Sequence, residues 1–532
     1  MEKEKGQKVS PEKKSELEQK PMIKRRTLLK ALVGVPVLGV FAFELFKKWT
    51  YDQEKKNRIL QELGLGEIQA PVILKSSPGS KIELLRIGII GFGNRAVSHA
   101  NGLGYMHPND VEGRKKNETL NDWLAQENLN VAITGICDVF DLHAENGLAT
   151  ANNDIRTGGG SPSGLPVKRY RTYQEMLDDK DIDAVMIATP DHHHAKITIA
   201  AAKAGKHVYC EKSPAHNEAE LYEMYDTVKS SKIVYQLGHQ VPQSVIFQQA
   251  KDIIKKDILG KITLVETTTN RNTSDGAWIR NLDKNGKPKP GDEKSIDWEQ
   301  WLGSAPKVPF SLDRYYNWTK FFDYDFGLIG QLFTHEFDAV NQLLRIGIPK
   351  SVVSSGGIYY WKDNRDMPDL LHCVFEYPDR DLTLLYSATL ANSRSRGRVF
   401  MGHDASMELG SAISITADGD STRYKKQIES GLIDPSGPMV SFNPNSGKID
   451  AVTTATEKYY AARGLTTTTI NGRPVDVTHL HIKEWIDCIR SGAAPSANIE
   501  RAFEEGVACL MAHKSYVEKR RTEWDPVNRK IV

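Results

Sequence analysis

Apolar residues in the first half of this chain gather into short runs separated by stretches of helical pattern. LLRIGII over Leu84–Ile90, LNVAITGIC over Leu129–Cys137, DAVMIA over Asp183–Ala188 and HVYC over His207–Cys210 predict strands. Helices are predicted from Arg95 to about Tyr105, over Tyr173–Leu177 and over Ala195–Ala204, the last stopped by Gly205. His107–Asn128 interrupts this order as a polar insertion, and Asn152–Pro166 is a loop rich in Gly and Ser. Repeated strand–helix alternation predicts a parallel, doubly wound sheet in an α/β fold.

The pattern changes after a helix over Glu218–Lys229 and a strand over Ile233–Gly238. Ile262–Thr269, Ser351–Tyr360, Leu370–Tyr377, Leu382–Leu390 and Ser406–Ile415 alternate or run apolar as strands, with a long helix predicted over Gly327–Leu344. Thr416–Thr469 is poor in aliphatics, carries Pro435, Pro438 and Pro444, and reads as an irregular insertion. Amphipathic helices over Val477–Arg490 and Arg501–Glu518 close the chain.

The N-terminus differs from both. Residues 1–22 are charged and almost free of aliphatics, a composition that predicts disorder. Lys24-Arg25-Arg26-Thr27-Leu28-Leu29-Lys30 then precedes the apolar run Ala31–Phe43. A basic segment before an apolar one reads as an export signal, and the paired arginines resemble a twin-arginine signal, the route for proteins exported folded. The run is shorter than the roughly 20 residues of a comfortable span. No small-x-small cleavage site follows it, so removal and an uncleaved anchor both stay open. Residues 1–48 are read as tail and signal or anchor, and 49–80 as a linker, with the folded body starting near Lys81. The expected location is exported: periplasmic, or membrane-anchored and facing the periplasm.

Composition narrows the partners. At 532 residues, with 39% apolar and 26% charged, the chain suits a soluble protein of two domains. A formal net charge of +2 gives no basis for nucleic-acid binding. The five cysteines lie far apart with no C-x-x-C pair, which argues against a zinc site or a disulfide framework.

Candidate chemistry sits where the predicted parallel strands end, because ligands bind at the carboxyl ends of such strands. Gly91-Phe92-Gly93-Asn94-Arg95-Ala96 links the first strand to a helix start. Glycines there let backbone come close to a pyrophosphate, and the helix N-terminus offers it free N–H groups. Asp138 ends the second strand, where an acid binds the ribose hydroxyl pair and favours NAD over NADP. Thr189-Pro190-Asp191-His192-His193-His194 and Glu211-Lys212-Ser213-Pro214 end the next two. Three adjacent histidines point in different directions, so no metal is expected.

On GIIGFGNRA, Asp138, DAVMIATPDHHHAKITIAAAKAGKHVYCEK and GLIGQLFTHEFDAV, the chain from about Leu84 onward resembles the Gfo/Idh/MocA family of nicotinamide-dependent sugar and cyclitol oxidoreductases. The resemblance implies an N-terminal Rossmann domain, here 81–214. It also implies a C-terminal α/β domain with an open, mostly antiparallel sheet, here 215–475 with the insertion 416–469, and closing helices 476–532 packed back on the first domain. It assigns Gly91, Phe92, Gly93, Asn94 and Arg95 to the pyrophosphate and Asp138 to the adenosine ribose. Thr189, Pro190 and His194 flank the nicotinamide; Glu211, Lys212 and Gln240 lie along the same cofactor edge. Lys212 and His335 are the implied catalytic pair, although Ser213 stands where the family's Glu-Lys-Pro element has proline. Gln331 occupies the position of a family aspartate, one turn before His335; an amide can hold a hydroxyl but cannot take its proton. Arg271, Trp318, Gln331, His335 and Asp338 are candidates for the substrate. Trp298, Trp301, Tyr315, Tyr316 and Trp318 either line a sugar site or pack a domain seam.

The activity implied is hydride transfer between NAD, or less readily NADP, and a secondary alcohol of a sugar or cyclitol. A second reading is glycoside cleavage by oxidation and elimination with a recycled cofactor, and a third is a non-catalytic sugar-binding relative. The expected partners are a small carbohydrate and further copies of the chain in a homo-oligomer, with membrane anchoring if the signal is retained. Export would require a tightly held cofactor, since free NAD is scarce outside the cytoplasm.

Overall fold

The computed structural model describes residues 36–65, 83–117, 119–155, 164, 166–274, 289–443, 448–450, 467–470 and 473–532. Residues 1–22 with their expected disorder, the paired arginines and Ala31–Val35 of the apolar run lie outside them. The chain divides into a unit Met1–Arg58 and a unit Ile59–Val532. The described part of the first unit belongs to a helix, Pro36–Glu62. Among the described residues no helix is long and apolar enough to cross a membrane.

The large unit opens with a parallel sheet of β1 (Leu85–Ile90), β2 (Val131–Cys137), β3 (Lys168–Tyr170), β4 (Ala184–Ile187), β5 (His207–Cys210) and β6 (Tyr235–Leu237). Their order is β3-β2-β1-β4-β5-β6, every pair parallel. The order reverses between β1 and β4, which opens a crevice at the strand ends. Every residue of β2 and β4 is buried, as strands covered on both faces require. The polar insertion contains two short helices, Pro108–Lys116 and Leu120–Leu124.

The remaining strands are β7 (Ile262–Thr268), β8 (Ser351–Gly357), β9 (Leu370–Tyr377), β10 (Leu382–Thr389), β11 (Arg398–Gly402), β12 (Ala405–Leu409), β13 (Ile413–Ala417), β14 (Val440–Asn443), β15 (Lys448–Asp450), the pair β16 (Thr467–Ile470) and β17 (Arg473–Asp476), β18 (Thr522–Asp525) and β19 (Lys530–Ile531). An eleven-stranded sheet runs β15-β14-β13-β12-β11-β7-β10-β9-β8-β18-β19. Only β7 and β10 pair in parallel, so the sheet is mostly antiparallel as expected. Strict alternation of burial along β10 shows one face turned to the core, where Phe333 stacks on Phe375.

Of the closing helices, Val477–Ser491 packs on the helix Asn94–Leu103, burying Ile482, Trp485 and Ile486 beside β1. Ile499–Glu518 instead bridges the two sheets, touching β6 and the helix Glu218–Ser230 on one side and β8 on the other.

Four expectations need correction. Ile59 and Leu65 are each 1% exposed, so the packed body starts at Ile59 and not near Lys81, and the stretch 49–80 read as linker begins inside the helix Pro36–Glu62. Val245–Lys255 is a helix that buries Val245, Ile246, Phe247, Ala250 and Ile253, though no helix was assigned there. The insertion 416–469 is not wholly irregular, because β14 and β15 extend the large sheet. The helix over Gly327–Leu344 is not uniform: a wide π turn, Ile329–Phe333, precedes the α-helix Thr334–Leu344. Such turns recur at functional sites.

Candidate active site

At the β1 end of the crevice Gly91 has φ +80°, and a Cβ there would meet the Ala188 carbonyl oxygen at 2.8 Å. Only glycine fits. Gly93 caps the helix Asn94–Leu103 and faces open space, so the first turn of that helix is approachable. The Asp138 carboxylate accepts the Phe92 N–H at 2.5 Å and the Phe140 N–H at 2.8 Å, which ties the glycine turn to the end of β2. Burial pushes this carboxyl up, while His143 and the two N–H groups pull it down. Thr189 Oγ1 is buried without a partner at the end of β4. A glycine cradle, an acid at the β2 tip and an orphaned hydroxyl fit a dinucleotide such as NAD.

An aromatic strap, residues 289–326, packs against the segment just beyond β2. Phe140 bridges to Ile296, Asp141 N–H donates to the Ser295 carbonyl at 2.9 Å, and Asp297 N–H donates to that of Val139 at 2.8 Å. Trp301, Tyr315, Tyr316 and Tyr324 pack with Phe140, and Trp298 and Trp318 lie against them half-buried. His192 and His193 both set Nε2 on the Trp301 carbonyl oxygen, at 3.0 and 2.8 Å. The aromatic stretch therefore packs a seam, and the histidine run anchors it.

The candidate reacting end is assembled around Lys212, just beyond β5. Its Nζ donates to Gln331 Oε1 at 3.1 Å and to the Gly330 carbonyl at 3.4 Å. The Lys212–Ser213 peptide is cis. Glu211 is buried beside it and accepts Arg95 Nε at 2.8 Å, with His99 Nε2 at 2.9 Å and Gln240 Nε2 at 3.4 Å. Burial would raise this acid, but Arg95 and His99 outweigh that and hold it well below the usual carboxylate range. His335 presents its ring edge-on to His239, centroids 5.2 Å apart. Burial, then His239 and Lys212, hold the His335 imidazole well below its ordinary value, so it is neutral and able to accept a proton. His239 Nε2 lies 2.7 Å from Glu505 Oε2, both side chains fully enclosed.

The structure thus gathers Glu211, Lys212, Gln331 and His335 at one place and Gly91, Gly93, Asn94 and Asp138 at the other. Phe92 offers its N–H to Asp138 rather than outward. Arg95 sets its Nε on Glu211, and Gln240 donates to the Tyr209 hydroxyl and the Gly238 carbonyl. His194 holds the Thr189 and Ser213 carbonyls together, and Pro190 opens the turn carrying Asp191. Arg271 pairs its backbone with Thr389 at the end of β10. Asp338 is buried and accepts Gln342 Nε2 at 3.4 Å, so it belongs to the packing of its helix. Trp318 belongs to the strap.

Sequence reasoning missed Asp191, Asp325 and Glu505. Asp191 lay beside a histidine run that drew attention away from it. Glu505 sits in an apolar helix, FEEGVACLMA, where a buried acid is the signal that could have found it.

Residues 85–239 match the profile of the Gfo/Idh/MocA oxidoreductase family, NAD-binding Rossmann fold. Levoglucosan dehydrogenase of Pseudarthrobacter phenanthrenivorans is 34% identical over 185 residues, 35% of this chain and 41% of that protein. Myo-inositol 2-dehydrogenase of Thermotoga maritima is 26% identical over 150 residues, 26% of this chain and 45% of that one. The chain thus matches less than half the length of these curated relatives. In three dimensions, levoglucosan dehydrogenase in complex with NADH and levoglucosan superposes with a TM-score of 0.53 at 16% identity, covering 83% of this chain and 99% of that one. That likeness shows the fold.

Proposed function

From the premise that this chain belongs, through the NAD-binding domain at 85–239, to the Gfo/Idh/MocA oxidoreductases, we propose that it oxidises or reduces a secondary alcohol of a sugar or cyclitol with NAD. The observation that carries the proposal is Lys212. Its ammonium stands at the end of β5, donating to Gln331 Oε1, with the neutral His335 beside it. When bound, the nicotinamide supplies the hydride chemistry. Gly91, the first turn of Asn94–Leu103 and Asp138 hold the dinucleotide. Lys212 orients the reacting hydroxyl, and His335 takes its proton or returns it. Gln331 holds a neighbouring hydroxyl and takes no part in proton transfer.

The strap supports a cofactor that stays with the protein, and the twin-arginine-like segment supports export of the folded, loaded form. Gln331 at a position where a carboxylate would serve as a base favours one second reading, cleavage of a glycoside by oxidation and elimination with no net redox.

The test is to denature the purified protein and identify any released nucleotide, then add levoglucosan or myo-inositol and follow nicotinamide absorbance. Released NAD(H) and sugar-dependent reduction are expected. Release of an aglycone with no net absorbance change would favour the second reading. Protein that neither carries nor takes up nicotinamide would overturn both.

A further inference from the structure

We infer that Asp191 and Asp325 share one proton and act as a single buried monoanion that fixes Gln331 and, through it, Lys212. The inference rests on reading Lys212 as the lysine of the reacting centre. Asp191 comes from the turn after β4 and Asp325 from the end of the strap; they are 2% and 0% exposed. Gly330 lies between them: a Cβ there would stand 2.4 Å from Asp325 Oδ1 and 3.3 Å from Asp191 Oδ2.

Their partners differ. Asp325 Oδ1 accepts the Phe326 N–H at 2.6 Å, while its Oδ2 is buried with no donor. An ionised oxygen left in that state is costly. Protonated, it becomes a donor, and Asp191 lies within hydrogen-bonding reach to accept. Asp191 is committed as acceptor elsewhere too: from Ser213 Oγ–H at 2.9 Å, Ser213 N–H at 3.4 Å and Gln331 Nε2 at 3.3 Å. Two carboxylates this close in a dry site cannot both ionise. Burial, and then Asp191, push Asp325 well above the usual carboxylate range, opposed only in part by Lys212 and by the Gln331 amide, which also reaches Asp325.

Four titratable groups face the pair from neighbouring elements: Lys212, His216, Cys210 and Cys509. Burial holds His216 low and both thiols high, so all three are neutral. Lys212 is the cation the pair answers.

The consequence falls on Gln331. Its amide nitrogen must point at Asp191, which leaves Oε1 for Lys212 at 3.1 Å. An acid at 331 would force a third carboxylate into the same space. Asp191 and Asp325 are therefore positioning residues, acting through Gln331.

Two measurements decide the matter, and neither depends on turnover. The infrared difference spectrum of wild type against Asp325→Asn should show one protonated-carboxyl band at neutral pH, lost in the variant. The rate of Lys212 acetylation at one neutral pH, read by peptide mass spectrometry, should stay as in wild type in Asp325→Asn, because Gln331 keeps its contact with Asp191. In Asp191→Asn it should change several-fold, because Gln331 loses the acceptor that fixes it against Lys212. No carboxyl band in the difference spectrum, or an unchanged Lys212 acetylation rate in Asp191→Asn, overturns the inference. Melting curves confirm that both near-isosteric variants fold. Failure of the Lys212 assignment itself would appear separately, as turnover surviving Lys212→Ala.

Discussion

At the dinucleotide end of the cleft, β1, its glycine turn and the tip of β2 interlock by backbone: Gly91 under the Ala188 carbonyl, and Asp138 across the Phe92 and Phe140 N–H groups. At the reacting end the contacts run between side chains from distant elements, Lys212 to Gln331, Gln331 to Asp191 and His239 to Glu505. The first arrangement is rigid and chemically plain. The second buries several ionisable groups whose charges depend on one another, which suits proton handling and tolerates little change.

The two ends should therefore fail in different ways. In the proposed reaction Lys212 faces the reacting hydroxyl, and Lys212→Ala removes it without touching the glycine turn. Turnover should fall by about a thousandfold or more, with the nucleotide still bound. Steady-state rates beside nucleotide released on denaturation check it. Loss of nucleotide together with activity would mean that the two ends are one structural unit.

That difference also governs what could be read in advance. The central strands β1, β2, β4 and β5 of the parallel sheet were legible because they stand out as apolar runs, each followed by a glycine or polar residue that chemistry explains; the edge strand β3, Lys168–Tyr170, has no apolar run to read. The helix Val245–Lys255 was passed over although Val245, Ile246, Ala250 and Ile253 recur at helical spacing; Gln249 is the one polar residue on its buried face. Lys212 and His335 were found through motif, whereas Asp325 carries no local signal and Glu505 only that of an acid in an apolar helix. Their meaning exists only once Gly330 and His239 are brought against them. Arg95 was assigned to the phosphates from its place in the turn, and its distance to Glu211 could not be seen in one dimension.

The complementary substitution is Gly91→Ala. A side chain there must adopt a left-handed backbone and meet the Ala188 carbonyl at 2.8 Å. The combined strain, about 1–3 kcal/mol, should weaken nucleotide binding by roughly 10- to 100-fold. The turnover number at saturating NAD should stay near wild type. Titration of nucleotide by intrinsic fluorescence, paired with saturated rates, separates the two terms. A drop in saturated rate as large as that of Lys212→Ala would erase the distinction between the ends.

The smallest expected effect concerns the clasp of the strap. His192 and His193 converge on one carbonyl oxygen, each donating Nε2–H, with ring centroids 4.0 Å apart; these hydrogen bonds favour the protonated rings, but burial outweighs them. Burial holds His193 down to about 4, and burial and then His193 hold His192 well below its ordinary value. Each folded value lies below the unfolded one, so the unfolded chain binds more protons as the pH falls. The stability is fully present above about pH 6.5 and is lost as the pH drops toward about 4; for His193 alone the loss at about pH 5 is roughly 2 kcal/mol. The clasp holds the strap, which packs on Phe140 just beyond β2, and its own side chains hydrogen-bond neither Lys212 nor Gln331. Acid should therefore speed nucleotide release several-fold. Release rates at neutral pH and about pH 5 test this, with His193→Gln as the control: its amide can donate to the Trp301 carbonyl without titrating and should blunt the acid effect. Equal release rates at both pH values would show that the strap is held by its aromatic packing and not by the histidine clasp.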